Sequence, residues 1–170
     1  EAAYIPLAHD YPGAPEQLPL AAVLDALRPL LEDPAIAKVG QHGKYDLHVL
    51  RRHGIAVQGY MDDSLLQSFV LDSGQRHDMD SQARRGLAMG TLLYTDVAGK
   101  DANQIPFAHV AMDDATRYAA EDADVTIRLH HHLKPRLVTA RLVSLSLAID
   151  RPLIPVVADM ERAGIKVDVK

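Results

Sequence analysis

The sequence predicts an α/β fold, and three observations carry that expectation. Apolar residues recur at helical spacing at Leu20, Val23, Leu24, Leu27 and Leu31. A short β-branched run, residues 36–40 (IAKVG), ends on glycine. Gln41-His42-Gly43 then turns it at once toward a second amphipathic stretch. Strand, turn and helix in quick succession are the working unit of domains that mix helices with a sheet.

In chain order, residues 4–8 (YIPLA) form an apolar run of strand character, and the loop after it is rich in Pro12, Gly13 and Pro15. The first helix takes the Leu20 to Leu31 series, with Pro19 suited to a first turn, where a missing N–H is no loss. The second carries Leu47 and Leu50 and is closed by Gly54, which adopts a helix-ending conformation without a Cβ clash. Residues 55–57 are a further short strand. Asp62 or Asp63 can cap a helix through Leu65, Leu66, Phe69 and Val70, because a carboxylate accepts from the free N–H groups of a first turn. Helices are also expected over residues 78–87 and from Asp113 or Asp114 to Leu133. Beyond them Leu142, Leu145 and Ile149 form one stripe, Pro152 opens a helix that Gly164 closes, and residues 165–169 are extended. The change of texture sets a domain boundary near Leu137, between residues 1–138 and 139–170. Two or three strands make a thin sheet for so many helices.

A chain of 170 residues that is 48% hydrophobic can bury one core with a small element appended. Its formal net charge of -5 excludes a surface that tracks nucleic acid throughout, since neutralising phosphates needs clustered Lys and Arg. Any DNA contact is local. The lack of cysteine excludes disulfide frameworks and thiolate metal sites and fits a reducing cytoplasm. No apolar run is long enough to span a bilayer and no signal segment opens the chain, so a cytoplasmic protein with no membrane partner is expected. Beginning at Glu1 without Met, the chain reads as a piece of something longer.

The segment richest in chemistry is Tyr118-Ala119-Ala120-Glu121-Asp122-Ala123-Asp124. On a helix, Ala115, Tyr118, Ala119, Asp122, Val125, Leu129 and Leu133 share one face. That face is otherwise apolar, so Asp122 interrupts it at a cost unless a cation or several donors compensate. Tyr118, one turn earlier, can bring its hydroxyl beside the carboxylate. From spacing alone, an ordinary pairing of Asp122 with an Arg or a helix N-terminus is slightly favoured, with Glu121 and Asp124 simply solvated. Asp46, just after the strand-to-helix turn, stands where ligand sites collect in α/β domains and where an acid also simply favours a helix dipole. His77-Asp78 reads as a helix cap rather than a metal dyad. His130, His131 and His132 point about 100° apart and read as a solvated helix end.

Taken together, residues 39–46 (VGQHGKYD), 76–81 (RHDMDS) and 118–126 (YAAEDADVT) closely resemble, in order and spacing, the proofreading 3'-5' exonuclease domain of the DNA polymerase I family. Residues 152–170 (PLIPVVADMERAGIKVDVK) resemble the start of the polymerase domain in that family, so the likeness covers the whole chain. Asp46 falls on the second exonuclease motif, and Tyr118 and Asp122 fall on the third, the Tyr-x-x-x-Asp motif of the DEDDy exonucleases.

The resemblance implies a ribonuclease-H-like fold and two-metal hydrolysis of 3'-terminal phosphodiester bonds with Mg²⁺ or Mn²⁺, releasing nucleoside monophosphates. It implies that Asp122 holds the ion activating water, that Tyr118 orients that water, and that Asp46 helps hold the second ion. Gln41, Tyr45, Arg76 and Tyr94 match positions near a frayed primer end and are the implied DNA contacts. The partners are then a DNA 3' end and the remainder of the polymerase chain. His42 replaces the Asn common in the family. The family's first motif, an Asp-x-Glu on an earlier strand, has no counterpart here, and residues 4–8 match a later strand; the expectation is a fold lacking its first strands, with a C-terminal helical extension and an impaired nuclease site. A non-catalytic polymerase scaffold and an RNA-directed nuclease are the alternatives, the second disfavoured by the polymerase-like tail.

Overall fold

Residues Lys38–Gly40 (β1) pair in parallel with Tyr60–Asp63 (β2) in the computed structural model, which describes residues 1–168. The register sets Val39 opposite Asp62 and Gly40 opposite Asp63, with an irregularity beside Lys38. A parallel pair needs a crossover, and helix Gly43–Arg52 (α2) supplies it. Gly40 and Gly43 flank the turn because the Tyr60 ring lies against both, in the space a Cβ would take. Bulk at either position would push that ring out of the turn.

Helix Leu20–Leu31 (α1) precedes β1 and is tied to the end of α2 by Arg28, whose Nη1 donates to the Gly54 carbonyl at 2.7 Å. Helices Ser64–Leu71 (α3) and Met79–Leu87 (α4) pack on the long helix Met112–Thr139 (α6). Their shared core is Ala83, Val125, Leu129 and Leu133, with Leu71, Met79, Leu87 and Met89 against it. A short helix, Tyr94–Ala98 (α5), not expected from the sequence, belongs to a second core of Ala98, Val110 and Ala115, on which Tyr4, Val97 and Phe107 rest. After α6, one turn Val143–Leu145 (α7) runs through a π-helical turn, Ser146–Asp150, directly into Arg151–Ala163 (α8). Pro152 thus sits where the hydrogen-bond ladder is already changing register, so its missing N–H is tolerated.

Three expectations change. Residues 4–8 form no strand: Tyr4 packs edge-on against Phe107 and His9, and the apolar run serves as a clamp on the second core. The second strand is Tyr60–Asp63, not residues 55–57, because Ile55 is a core anchor only 1% exposed, and Gly59, at φ 67°, turns the chain into the ladder after it. α6 runs past Leu133 to Thr139, carrying Pro135 within it. Residues 165–168 are neither helix nor strand, and Val169, expected to continue an extended segment, lies outside the described residues with Lys170.

Candidate active site

Helix α6 presents Ala115, Val125, Leu129 and Leu133 to the core, and the same face carries Tyr118 and Asp122, both half-buried. Burial raises the Asp122 carboxyl above its ordinary pKa; a hydrogen bond from Tyr118 opposes the rise and the neighbouring charge of Glu121 adds to it. The Tyr118 hydroxyl is pushed up to about 12 by burial and then by the charge and hydrogen bonding of Asp122. The phenol therefore keeps its proton at neutral pH, one helical turn from the carboxylate. Glu121 itself faces away from this pair: its Oε1 accepts the Leu92 N–H at 2.6 Å and pins the segment that leads into α5.

That pin brings Tyr94, the first residue of α5, against the site. Its ring meets Tyr118 edge-on at 6.2 Å between centroids, and the residue remains 37% exposed. Among the implied DNA contacts, Tyr94 is the one seated against an implied catalytic side chain.

Asp46 stands in the first turn of α2 and keeps solvent access, yet partial desolvation, followed by the charge of Asp63, raises its carboxyl above the usual range, with His42 acting against this. Asp63 is the fixed group of this corner. Its carboxylate accepts from the backbone N–H groups of His42 (3.1 Å), Gly43 (2.8 Å), Leu65 (2.9 Å) and Leu66 (3.4 Å), and from the Tyr60 hydroxyl at 2.9 Å. One side chain thus caps α3 and holds the turn that opens α2, where His42 is forced to φ 58°. The Tyr60 hydroxyl, buried and then held beside Asp63, is raised far above its ordinary value.

Gln41 is engaged internally: its amide donates to the His77 carbonyl at 3.1 Å and its oxygen accepts from Ser64. Tyr45 projects outward, 66% exposed. Arg76 is also on the surface, where its Nε reaches Asp78 at 3.1 Å. Asp78 caps α4 through the Ser81 N–H at 2.9 Å, the cap reading of His77-Asp78. The structure therefore joins Tyr118, Asp122 and Tyr94 at one place and sets Asp46 in a corner with Asp63 and His42. Among the described residues, no group of three or more His, Cys, Asp or Glu side chains converges as a metal site.

His130 is not part of a solvated helix end. It is buried within α6, where its Nδ1 lies 3.2 Å from the Gln67 amide nitrogen and 3.9 Å from Asp62. Asp62, also buried, accepts from Gln67 at 3.1 Å and from Lys134 Nζ at 3.0 Å. The two adjacent acids at the end of β2 thus have opposite duties, Asp62 to α6 and Asp63 to the α2 and α3 corner. The spacing of His130 and Lys134 by one turn was the available signal; their partner on β2 had none.

A family model described as 3'-5' exonuclease matches residues 1–138. DNA polymerase I of Pseudomonas aeruginosa is 52% identical over 99% of this chain and 19% of that protein. DNA polymerase I of Rhizobium leguminosarum is 46% identical over 98% of this chain and 17% of the relative. The chain spans less than a fifth of the length of these curated relatives. Among solved structures, the POL domain of Pol1 from M. smegmatis in complex with DNA primer-template and dNTP superposes with a TM-score of 0.68 at 25% identity, over 85% of this chain and 22% of that one. Brucella melitensis NrnC matches with a TM-score of 0.64 at 18% identity, over 89% of this chain and 68% of its own, a likeness of fold alone. The expected ribonuclease-H-like exonuclease fold is the fold of this chain. Matched by the family model over most of its length, the chain belongs to the 3'-5' exonuclease family.

Proposed function

We propose that this chain is the proofreading 3'-5' exonuclease portion of a DNA polymerase I, hydrolysing 3'-terminal phosphodiester bonds of single-stranded or frayed DNA, with residues 139–170 opening the polymerase portion. The observation that carries the reading is the Tyr118–Asp122 pair on the inward face of α6 with the partly exposed Tyr94 ring against it. A half-buried acid with a raised pKa and a protonated phenol beside it suit a site where a cation and a water complete the charge.

The donor chemistry of Asp46 and Asp122 fits a hard divalent ion, and these are the residues that would hold Mg²⁺ or Mn²⁺; their number does not complete a two-ion cage. A bound divalent ion supplies charge stabilisation and a more acidic water. The chain's own part follows from its residues. Tyr118 Oη holds its proton and orients a water molecule beside Asp122. Tyr94 offers a ring face on which a terminal base can stack. Tyr45 and Arg76, both exposed, suit contact with unpaired bases and backbone phosphate. Gln41 acts through the turn it braces.

The test is cleavage of 5'-labelled single-stranded DNA by the full-length gene product, with and without Mn²⁺. Asp122→Ala is expected to remove nearly all activity while folding is retained. Undiminished cleavage by that variant would sink the assignment. The second reading, a non-catalytic scaffold, draws on the ion-paired seam in which Lys44 and His48 of α2 meet Glu161 of α8, and Arg51 meets Asp159. Metal-independent absence of cleavage in the full-length protein would favour it.

A further inference from the structure

We propose that Phe107 is a positioning residue that sets where the Tyr118 hydroxyl and the Tyr94 ring stand beside Asp122; the proposal rests on the nuclease reading above. Phe107 opens the 3₁₀ turn Phe107–His109 and carries no polar atom, so it can act only through its neighbours. Its ring lies 5.9 Å from that of Tyr118, tilted by 58°, and 6.2 Å from that of Tyr94, nearly parallel at 24°. Tyr94 and Tyr118 also touch each other at 6.2 Å. The three rings close a triangle within the distance range of attractive aromatic contacts, and no ring can move without disturbing two of them.

The far side of the triangle is latched. Phe107 rests on the fully buried Ala98, Val110 and Ala115, and behind it stand Tyr4 at 6.3 Å and His9 at 6.0 Å. Tyr4 Oη and His9 Nε2 lie 2.7 Å apart. The His9 backbone is clasped from both sides by Gln17, which accepts its N–H at 2.9 Å and donates to its carbonyl at 2.7 Å. A rigid floor and a latched rear leave the two tyrosines as the movable members, and Phe107 is the contact that fixes them. A phenol that orients water tolerates little displacement, since misplacement by about 1 Å can cost roughly 100-fold in rate.

The experiment pairs single-turnover cleavage by the full-length gene product with NMR of ring-labelled tyrosines, the Tyr94 and Tyr118 signals being assigned through Tyr94→Phe and Tyr118→Phe. In Phe107→Leu both signals should lose the ring-current contribution of Phe107, and the one that Tyr94 and Tyr118 exert on each other should change as the rings move apart. The cleavage rate of bound DNA should fall about 10- to 100-fold. Phe107→Tyr, which keeps the ring, should retain both. Should Phe107→Leu not fold, Phe107→Met carries the same test. A folded variant without the ring whose Tyr118 and Tyr94 signals stay in place, or whose rate for bound DNA is unchanged, overturns the proposal. If Asp122→Ala and Tyr118→Phe cleave like the unaltered protein, the nuclease reading falls by itself, while the ring signals still decide whether Phe107 holds the two tyrosines.

Discussion

Asp122 stands where a carboxylate weighs against folding. Its pKa is raised, chiefly by burial, so the folded state releases the proton less readily than the unfolded chain does. Above the raised pKa both states are ionised and the folded one carries the whole penalty; below the ordinary value of about 4 both are protonated and the penalty is gone. Asp122→Asn should therefore raise the melting temperature at pH 7 to 8, with the gain shrinking to nothing as pH falls from the raised pKa to below about 4, while cleavage is lost. A melting temperature that falls at neutral pH would mean that the charge is satisfied by the protein itself. Tyr118→Phe removes the hydroxyl and keeps the ring contacts, so the rate for bound DNA should drop with affinity nearly constant. If affinity drops and that rate does not, Tyr118 is a substrate contact. Both residues were legible because the helical period is local: 115, 118, 122, 125, 129 and 133 share a face whatever else the chain does. Phe107 was not legible, because nothing in a Pro-Phe-Ala loop tells which ring it will meet.

At the scale of elements, Asp63 shows how far local signals reach. A cap for the helix after β2 could be read from the sequence, with Asp62 and Asp63 undecided; the return of the same carboxylate to His42, Gly43 and Tyr60 depends on strand register, which no local pattern encodes. Asp63→Ala leaves several donors without a partner at once. Loss of a cap costs about 1 kcal/mol and a stranded buried donor about 1–3 kcal/mol, so a loss of roughly 2–4 kcal/mol is expected in urea unfolding. Asp63→Asn, still an acceptor, should lose less. Equal losses for the two would mean that charge rather than hydrogen bonding holds the corner. The misplaced second strand has the same origin. Residues 55–57 have the β-branched content of a strand, but Ile55 is used as a core anchor, and Gly59 delays the ladder to Tyr60. His130 repeats the lesson within α6, where a run of three histidines looks solvated until Asp62 and Gln67 are brought beneath it.

Over the whole molecule, the described residues form a sheet of two strands, and two acids are the implied metal holders. Asp46 and Asp122 face different neighbours, and among the described residues neither belongs to a group of three ligating side chains. Two carboxylates cannot neutralise and clamp two divalent ions as a fuller set of oxygen ligands does, and water must fill the remaining positions. The sheet of β1 and β2 also leaves ladder groups for other backbone to meet, and α8 shows Leu153, Val156 and Met160 at 46%, 50% and 66% exposure. The exposed ion pairs between α2 and α8 add little to hold that seam, since such pairs contribute from nothing to about 1 kcal/mol each. Buried Ile154 and Ala158 carry the docking instead. Compared with the full-length gene product, the 170-residue chain should bind Mn²⁺ weakly in titration calorimetry, cleave bound DNA slowly in single turnover, and sediment partly as associated species. Metal affinity reports the donor set, the single-turnover rate at saturating Mn²⁺ reports the geometry around Tyr118 and Asp122, and sedimentation reports association of the chain with itself. Tight binding of two ions with an undiminished rate by the chain alone would show that further ligands converge on Asp46 and Asp122 within these 170 residues, and the two-acid account would have to be abandoned.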